Sequence, residues 1–311
     1  MNAIGLFSIL QGKFKEELFN FAIIIFFAML LAVASSANAQ SILSGDYIPA
    51  PPGTNLFVTY YVHENLNDNN IKGVGTLQSN THLNLDVSVS RYVRYFNVGS
   101  YTGLFEVVQS FGGLWNAEVN GTHLPGTFGA GDTTVAGVIW PVNDPVSETY
   151  VGVGGFLNIP SGSYNKNSAL NLGTNIFSGS VQVAGNKGFG KYFSIDWAGA
   201  IQIYGDNTSA ALTGGTIRTN PTYSLQTFLN YNPSAGTTIG VGFAGLYGGN
   251  ETLNRTRNGF KVGPEYERIR LDASKFITPT IQLLGEVSHD LNAVGGFRNQ
   301  FEATIRLAKV F

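Results

Sequence analysis

The sequence predicts an all-β protein: a transmembrane antiparallel β-barrel of the outer membrane with about twelve strands and a cleaved N-terminal signal peptide. Three observations predict this class: an export signal, period-two alternation of apolar and polar side chains, and links between strands that alternate in length. Only 12 % of the 311 residues are charged, and 39 are glycine. Average domains carry roughly 25 % charge and roughly 7 % glycine, so this composition excludes intrinsic disorder.

Residues 1–39 have the pattern of a secretory signal peptide. Lys13 and Lys15 precede an apolar run over residues 21–34, which at about 14 residues is shorter than the roughly 20 that a membrane-spanning helix needs. A small-residue cleavage site ends at Ala39, and we expect cleavage there. The alternative is an uncleaved anchor helix, which would normally be followed by a basic stop-transfer flank.

A proline-rich N-terminal segment, residues 40–54, follows the signal peptide and precedes a barrel over residues 55–311. Proline has no backbone N–H, so the stretch 48–53 cannot complete the hydrogen-bond ladder of a strand. A barrel of about twelve strands has a narrow lumen. We therefore expect this segment to enter the lumen from the periplasmic side and to line or partly plug it.

Alternation along the barrel region identifies the strands. In residues 192–205, for example, Ile195 and Trp197 share one face. Ser194 and Asp196 share the other face, as expected of a strand between lipid and a polar interior. The predicted strands lie near residues 55–64, 83–92, 103–110, 135–140, 149–159, 176–184, 192–205, 222–231, 237–249, 261–272, 280–289 and 299–311.

The links between these strands alternate in length. Counted from a periplasmic N-terminus, the odd-numbered links are long and polar, as in 65–82 and 111–134. The even-numbered links are shorter, as in 232–236 and 273–279. Long external loops and short periplasmic turns are typical of outer-membrane barrels with an even number of strands.

The last strand ends on Phe311, on the same face as Ile305 and Leu307. Outer-membrane barrels commonly end on an aromatic residue. We therefore expect Phe311 to act as an assembly signal, through which the C-terminal strand contacts the barrel assembly machinery. The lipid of the outer membrane is the other partner expected to contact the barrel.

Charged side chains on the face predicted to point inward are few. They would form either a charge lattice that satisfies itself or a polar constriction that screens solutes by size and charge. The lumen-lining candidates are Asp86, Glu106, Asp196, Arg268, Arg270, Asp272, Glu286, Glu302 and Arg306.

Composition also limits partners and chemistry. The 18 Lys and Arg residues are balanced by 20 Asp and Glu residues, so no nucleic-acid partner is expected. The absence of cysteine excludes thiolate nucleophiles and cysteine zinc sites. The four histidines lack the close partners of a metal site, and neither a metal nor a cofactor is expected.

Several short motifs, in their order and spacing, resemble the family of outer-membrane proteins linked to the meta-pathway of phenol degradation. The resemblance covers nearly all of the chain after the signal peptide and implies a transporter-like barrel that admits aromatic or other hydrophobic compounds. Its motifs are Asp46-Tyr47-Ile48-Pro49, Gly131-Asp132-Thr133-Thr134, Ile159-Pro160-Ser161-Gly162-Ser163-Tyr164, Asn171-Leu172-Gly173-Thr174-Asn175, Thr219-Asn220-Pro221-Thr222-Tyr223 and Lys309-Val310-Phe311.

We therefore expect a passive outer-membrane channel for small hydrophobic or aromatic solutes, with no catalytic residues. Besides a secreted β-sandwich, two barrel alternatives remain open. The first is a phospholipase-type hydrolase, for which His289 is the candidate general base, although the sequence has no Gly-x-Ser-x-Gly elbow. The second is a structural or adhesive barrel whose long loops bind partners.

Overall fold

The computed structural model describes residues 41–71, 75–254 and 265–311. The expected signal peptide and its cleavage site at Ala39 lie outside the described residues. Within the described ranges there is no helix long and apolar enough to cross a membrane. The strands are β1 (Asn55–Ile71), β2 (Gly75–Val98), β3 (Tyr101–Val119), β4 (Thr122–Leu124), β5 (Thr127–Ala130), β6 (Thr133–Asp144), β7 (Thr149–Ile159), β8 (Ser178–Phe189), β9 (Phe193–Tyr204), β10 (Ile217–Thr219), β11 (Thr222–Ser234), β12 (Thr237–Gly248), β13 (Glu251–Leu253), β14 (Glu265–Thr278), β15 (Ile281–Val294) and β16 (Gly296–Val310).

Twelve of these strands form one closed antiparallel barrel. Each pairs with its neighbours in chain order, and β1 pairs with β16 to close the ring. The remaining short strands add to the rim: β4 and β5 extend the pairing of β3, while β10 pairs with β13. The prediction of about twelve antiparallel strands is confirmed. Closure leaves no unpaired edge, which is the condition for a sheet to span a bilayer.

One end of the barrel carries short turns and the other carries longer excursions. The short-turn end also holds Asn55 and Phe311, whose backbone groups hydrogen-bond to each other at 3.0 Å. At the opposite end, much of the two links expected at 65–82 and 111–134 is strand, because β1, β2 and β3 continue far beyond the length that crosses a membrane. The prediction of loops over these two ranges was therefore wrong.

The outward face of the barrel is mostly apolar and exposed, as in Ile195, Val241, Leu271 and Ile305. A soluble protein does not expose contiguous apolar surface of this extent. The outward face is therefore the lipid-facing surface. Because outer-membrane barrels have short turns on the periplasmic side, the short-turn end faces the periplasm and the opposite end faces the cell exterior.

The inside of the barrel contains two apolar clusters in addition to charged groups. Near the outer end, a cluster we call the loop cluster joins residues of β1, β2 and β3 to the loop between β7 and β8. Its members are Leu66, Leu83, Leu85, Val87, Val89, Val108, Leu114, Ala117, Val119, Leu124, Ala169, Leu170, Leu172 and Phe297. Nearer the periplasmic end lies the aromatic cluster, formed by Ile42, Tyr47, Val93, Tyr95, Leu104, Ala136, Val138, Trp140, Phe156, Ala184 and Ala198.

The loop cluster reverses the expected orientation of β2. Leu85 and Val87 are buried against it, so the intervening Asp86 points outward. There, its carboxylate accepts hydrogen bonds from Tyr61 and Trp115 and lies 2.8 Å from His63 Nδ1. The prediction that Asp86 lines the lumen was wrong. Alternation separates the two faces of a strand, but it does not say which face turns inward when the interior is itself apolar.

Candidate functional site

The candidate site is the lumen, which is partly filled by residues 41–50. We call these residues the inner segment. They precede β1 and contact inward-facing side chains of six barrel strands: β6, β8, β9, β11, β14 and β16. The buried part begins before the prolines: Ile42 and Tyr47 are buried, whereas Pro51 and Pro52 are exposed.

Ser44 forms the deepest polar contacts of the inner segment. Its hydroxyl lies 2.7 Å from Asp272 Oδ1 and 2.8 Å from Asn230 Oδ1, and its backbone N–H donates to Asp272 Oδ2 at 3.0 Å. The next residue, Gly45, donates its N–H to Asp196 Oδ2 at 3.0 Å. Two buried carboxylates are thus satisfied by a segment that is not part of the barrel wall.

Gly240 on β12 makes room for this contact. A Cβ atom at this position would lie 2.2 Å from Ser44 Oγ and 2.5 Å from Asp272 Oδ1. Any larger residue would therefore displace the inner segment or the carboxylate. The space that a side chain at position 240 would fill is taken by Ser44 of the inner segment and by the Asp272 carboxylate.

A ladder of ion pairs crosses β14, β15 and β16, farther along the strands than Asp272. Arg268 contacts Asp290 at 2.6 Å and Glu302 at 2.5 Å. The adjacent inward residue Arg270 pairs with Glu286, with Nε and Nη2 donating to the two carboxylate oxygens at 2.9 and 2.8 Å. Such two-pronged pairing holds both side chains in one geometry.

A fourth ion pair joins β2 and β3. Arg91 Nε donates to Glu106 Oε2 at 2.8 Å, and the Glu106 side chain is almost fully buried. Arg91 also reaches the hydroxyl of Tyr60 on β1 at 3.4 Å. Together with the ladder, this pair gives each of the inward arginines Arg91, Arg268 and Arg270 a carboxylate partner, as a charge lattice requires.

Between the inner segment and the ladder, a polar cavity of about 50 Å³ remains. Ser41 lies at one side of it. The other lining residues are Ala200, Gln202, Thr222, Ser224, Gln226, Ala244, Leu246, Tyr266, Arg268, Arg270 and Glu302. A volume of this size holds one or a few water molecules, so the lumen is constricted at this level.

The loop between β7 and β8 constricts the lumen from the outer end. Asp132 holds both of its ends: its carboxylate accepts from the N–H groups of Gly162 and Thr174, each at 2.9 Å, and from the Thr174 hydroxyl. Leu170, between these two points, is completely buried in the loop cluster. The motifs around residues 131–134, 159–164 and 171–175 therefore meet in space.

The structure places eight of the nine predicted lumen-lining residues on inward faces. Asp196, Asp272 and Arg306 contact the inner segment. Arg268, Arg270, Glu286 and Glu302 form the ladder and Glu106 pairs with Arg91, whereas Asp86 faces outward.

Four inward-facing charged residues were missed by the sequence reasoning. Arg91 lies on the face of β2 opposite to Asp86, so a register that points Asp86 inward points Arg91 outward. Glu64 is the last residue of the predicted strand 55–64, Asp290 lies one residue beyond the predicted strand 280–289, and Asp46 lies in the inner segment. A longer strand would have extended the inward register of Glu286 and Ser288 to Asp290, and both Asp290 and Glu64 are nearly fully buried.

His289 lies on the outward face of β15, near its outer end. Its Nδ1 is 2.7 Å from the backbone carbonyl oxygen of Gln300. A backbone carbonyl fixes the ring tautomer but supplies no charge to stabilise an imidazolium, which is the task of the acid in a hydrolase triad.

Taken together, the closed barrel, its lipid-facing exterior and its charged, constricted lumen define an outer-membrane channel. The model of the family described as the MetA-pathway of phenol degradation matches residues 66–300. The chain belongs to this family. No curated protein matches the sequence.

Solved structures agree with this class. The crystal structure of the COG4313 outer membrane channel from Pseudomonas putida F1 is similar over 87 % of this chain and 100 % of that chain, with 25 % identity and a TM-score of 0.82. The β domain of the Bordetella autotransporter BrkA is similar over 82 % of this chain and 98 % of that chain, with 7 % identity and a TM-score of 0.51. The second likeness concerns the fold alone.

Proposed function

We propose that this channel passes small hydrophobic or aromatic compounds across the outer membrane by diffusion, without catalysis. The observation that carries the proposal is the apolar part of the barrel interior. Water-filled porins have a polar interior. Here the loop cluster and the aromatic cluster bury aliphatic and aromatic side chains inside the barrel. An apolar lining favours apolar solutes because it has no hydrogen-bonding groups to replace the water that sugars and ions lose on entry.

Passage requires movement of the inner segment. The remaining cavity of about 50 Å³ is too small for an aromatic ring, and residues 41–50 stand across the lumen. Apart from its covalent link to β1, the segment is held by hydrogen bonds, one ion pair and the packing of Ile42 and Tyr47. Each such bond contributes about 1 kcal/mol net, so a shift of the segment is energetically accessible while the barrel stays folded.

Assembly is the second part of the proposal. Phe311 is exposed at the periplasmic end of the last strand, which pairs with β1 to close the ring. The last strand must be recognised before the ring closes, and the exposed ring of Phe311 is available for that contact. The recognising partner in this proposal is the barrel assembly machinery.

The test is a solute-by-solute flux assay with purified protein in liposomes, comparing phenolics, carboxylates and sugars, each corrected for protein-free liposomes. We expect phenolics to cross fastest and sugars slowest. Equal rates for phenolics and sugars of similar size, or phenolic rates at the protein-free level, would refute the proposal. Two controls address the hydrolase alternative. We expect that a serine-reactive probe does not label the protein and that His289→Ala causes no change in lipid turnover.

A further inference from the structure

The ring of Tyr47 occupies a slot in the barrel interior whose lining suits a phenol. Its ring centroid lies 6.0 Å from that of Trp140, with the two planes at 49°. Tyr95 extends the aromatic wall, with its ring centroid 5.9 Å from that of Trp140. Tilted rings at these distances attract each other beyond simple burial.

A glycine on the strand next to Trp140 leaves room for the Tyr47 ring. A Cβ atom on Gly152 would lie 3.0 and 3.1 Å from two ring carbons of Tyr47. That separation is tighter than ordinary van der Waals contact. The Tyr47 ring therefore lies directly against the backbone of residue 152, where a side chain would press on both Tyr47 and Trp140.

The far end of the slot supplies one acceptor. The Tyr47 hydroxyl donates to Gln182 Oε1 at 2.5 Å, and the Gln182 side chain is almost fully buried on β8. An apolar slot with one well-placed polar group is the usual construction of a small-molecule site. The polar group would select a ring that carries a hydroxyl over a ring that lacks one.

Tyr47 reaches this slot from the inner segment and not from the barrel wall. The wall itself supplies Trp140, Tyr95, Gly152 and Gln182 from β6, β2, β7 and β8. The slot therefore remains when the inner segment moves, and only its occupant leaves. Trp140 Nε1 donates to the Tyr47 backbone carbonyl at 3.0 Å, a contact that is also broken by that movement.

We propose that this slot is a binding site for a free phenol, and that Tyr47 is a tethered phenol that fills it in the closed channel. This inference rests on the proposed function, since it names the solute class and the place where that solute binds. A free phenol must displace Tyr47, whose tether gives it a high effective concentration. Binding to the wild-type protein is accordingly weaker than binding to a protein without the Tyr47 ring.

The test measures phenol binding in detergent by fluorescence of Trp140. The other two tryptophans, Trp115 and Trp197, face outward, so Trp115→Phe and Trp197→Phe leave Trp140 as the only tryptophan, which is excited selectively at wavelengths that tyrosine and phenol do not absorb. In this background we expect Tyr47→Ala to bind phenol saturably and at least tenfold more tightly than a protein that retains Tyr47. Tyr231→Ala, which removes a lipid-facing tyrosine, serves as the control and should not change phenol binding.

Two further variants identify the slot. Adding Gln182→Met to Tyr47→Ala should weaken phenol binding about tenfold and leave toluene binding unchanged, because only the hydroxyl acceptor is lost. Adding Gly152→Val should abolish binding of both, because its side chain fills the space of the ring. Tyr47→Phe keeps the packed ring and should bind phenol more tightly than wild type by a smaller factor, which preserves the test if Tyr47→Ala does not fold.

The proposal is overturned if Tyr47→Ala or Tyr47→Phe binds phenol no better than wild type, or if Gln182→Met and Gly152→Val leave phenol binding unchanged. Phenol binding is measured by fluorescence in detergent and does not depend on flux through the channel. Binding in the slot together with no phenolic flux in liposomes would refute the proposed function and leave the site standing. Phenolic flux without binding in the slot would refute the site and leave the proposed function standing.

Discussion

Arg306 Nη1 donates a hydrogen bond to Asp46 Oδ1 at 2.6 Å, and this pair joins the last strand of the barrel to the segment that precedes the first. Both side chains are largely withdrawn from solvent, with 7 % of Arg306 and 15 % of Asp46 exposed. Arg306 also holds Gln282 on the neighbouring strand at 2.8 Å. Because removing one partner leaves a buried charge uncompensated, the inner segment and the wall of the barrel are coupled at this point.

Gly240→Ala should open the channel. The new Cβ atom would lie 2.2 Å from Ser44 Oγ, so the inner segment must move away from Asp272. We expect a higher single-channel conductance in planar bilayers. Gly199→Ala is the matched control, because its Cβ points outward and meets its nearest atom only at 3.9 Å. Equal conductance of the two variants would contradict the packing described here.

Asp132→Ala should release the loop between β7 and β8. The carboxylate accepts three hydrogen bonds from Gly162 and Thr174, and bonds to a charged acceptor contribute roughly 1.5 to 3 kcal/mol each. We expect rapid proteolysis within residues 160–177 and a rise in conductance.

The matched control for Asp132 is Asp144→Ala. Asp144 accepts three comparable bonds, from Val146 N–H and from the N–H and hydroxyl of Ser147, in a short turn at the periplasmic end. Its loss should change neither proteolysis of the outer loop nor conductance. Intact loop 160–177 in Asp132→Ala under the same protease treatment would show that other contacts hold the loop.

Asp86→Asn should leave ion selectivity unchanged, because the carboxylate faces outward between Tyr61, His63 and Trp115. Asp272→Asn, which removes a lumenal charge of the same kind, should shift the reversal potential in a salt gradient. The measurement compares the two variants with wild type in planar bilayers. A shift of similar size in Asp86→Asn would show that the Asp86 side chain lines the lumen.

Arg substitutions on β15 test the lipid-facing register. Val287 is 43 % exposed and lies mid-strand, so Val287→Arg should destabilise the barrel by roughly 2 to 4 kcal/mol. Leu283 is exposed on the same face but lies close to the periplasmic turn, where the cost falls to roughly 0 to 1 kcal/mol. Urea unfolding in lipid vesicles measures both, and a larger effect at Leu283 would contradict the assigned depth.

Much of the barrel could be predicted from local pattern. Alternation gave the number of strands and the inward placement of Arg268, Arg270, Glu286 and Glu302, because a membrane-facing strand must separate apolar from polar side chains at every second position. The same pattern failed for Asp86. There the interior is filled by the β7–β8 loop, and an apolar interior makes the two faces of β2 indistinguishable by hydropathy.

The contacts of the inner segment could not be predicted. Ser44 and Asp272 are 228 residues apart, and neither position carries a local signal for the other. Strand lengths failed for a related reason: β1 and β2 continue beyond the membrane through polar cross-strand contacts such as Asn65 with Asn84 at 3.0 Å. Such pairs do not alternate in hydropathy, so the pattern ends before the strand does.

The central claim is that residues 41–50 close the lumen and that passage needs their departure. A double variant, Ser44→Cys with Gly240→Cys, tests it directly, because a Cβ atom at position 240 would lie 2.2 Å from Ser44 Oγ, which places the two side chains in direct contact, as a disulfide requires. The sequence has no other cysteine.

Conductance and phenolic flux are measured before and after reduction, with a variant lacking residues 41–53 defining the open level. We expect the oxidised protein to be closed and reduction to raise conductance and flux toward the open level, because the freed Gly240→Cys side chain displaces the inner segment as Gly240→Ala does. Equal conductance and flux in the oxidised and reduced protein, with the disulfide shown to be formed, would contradict it.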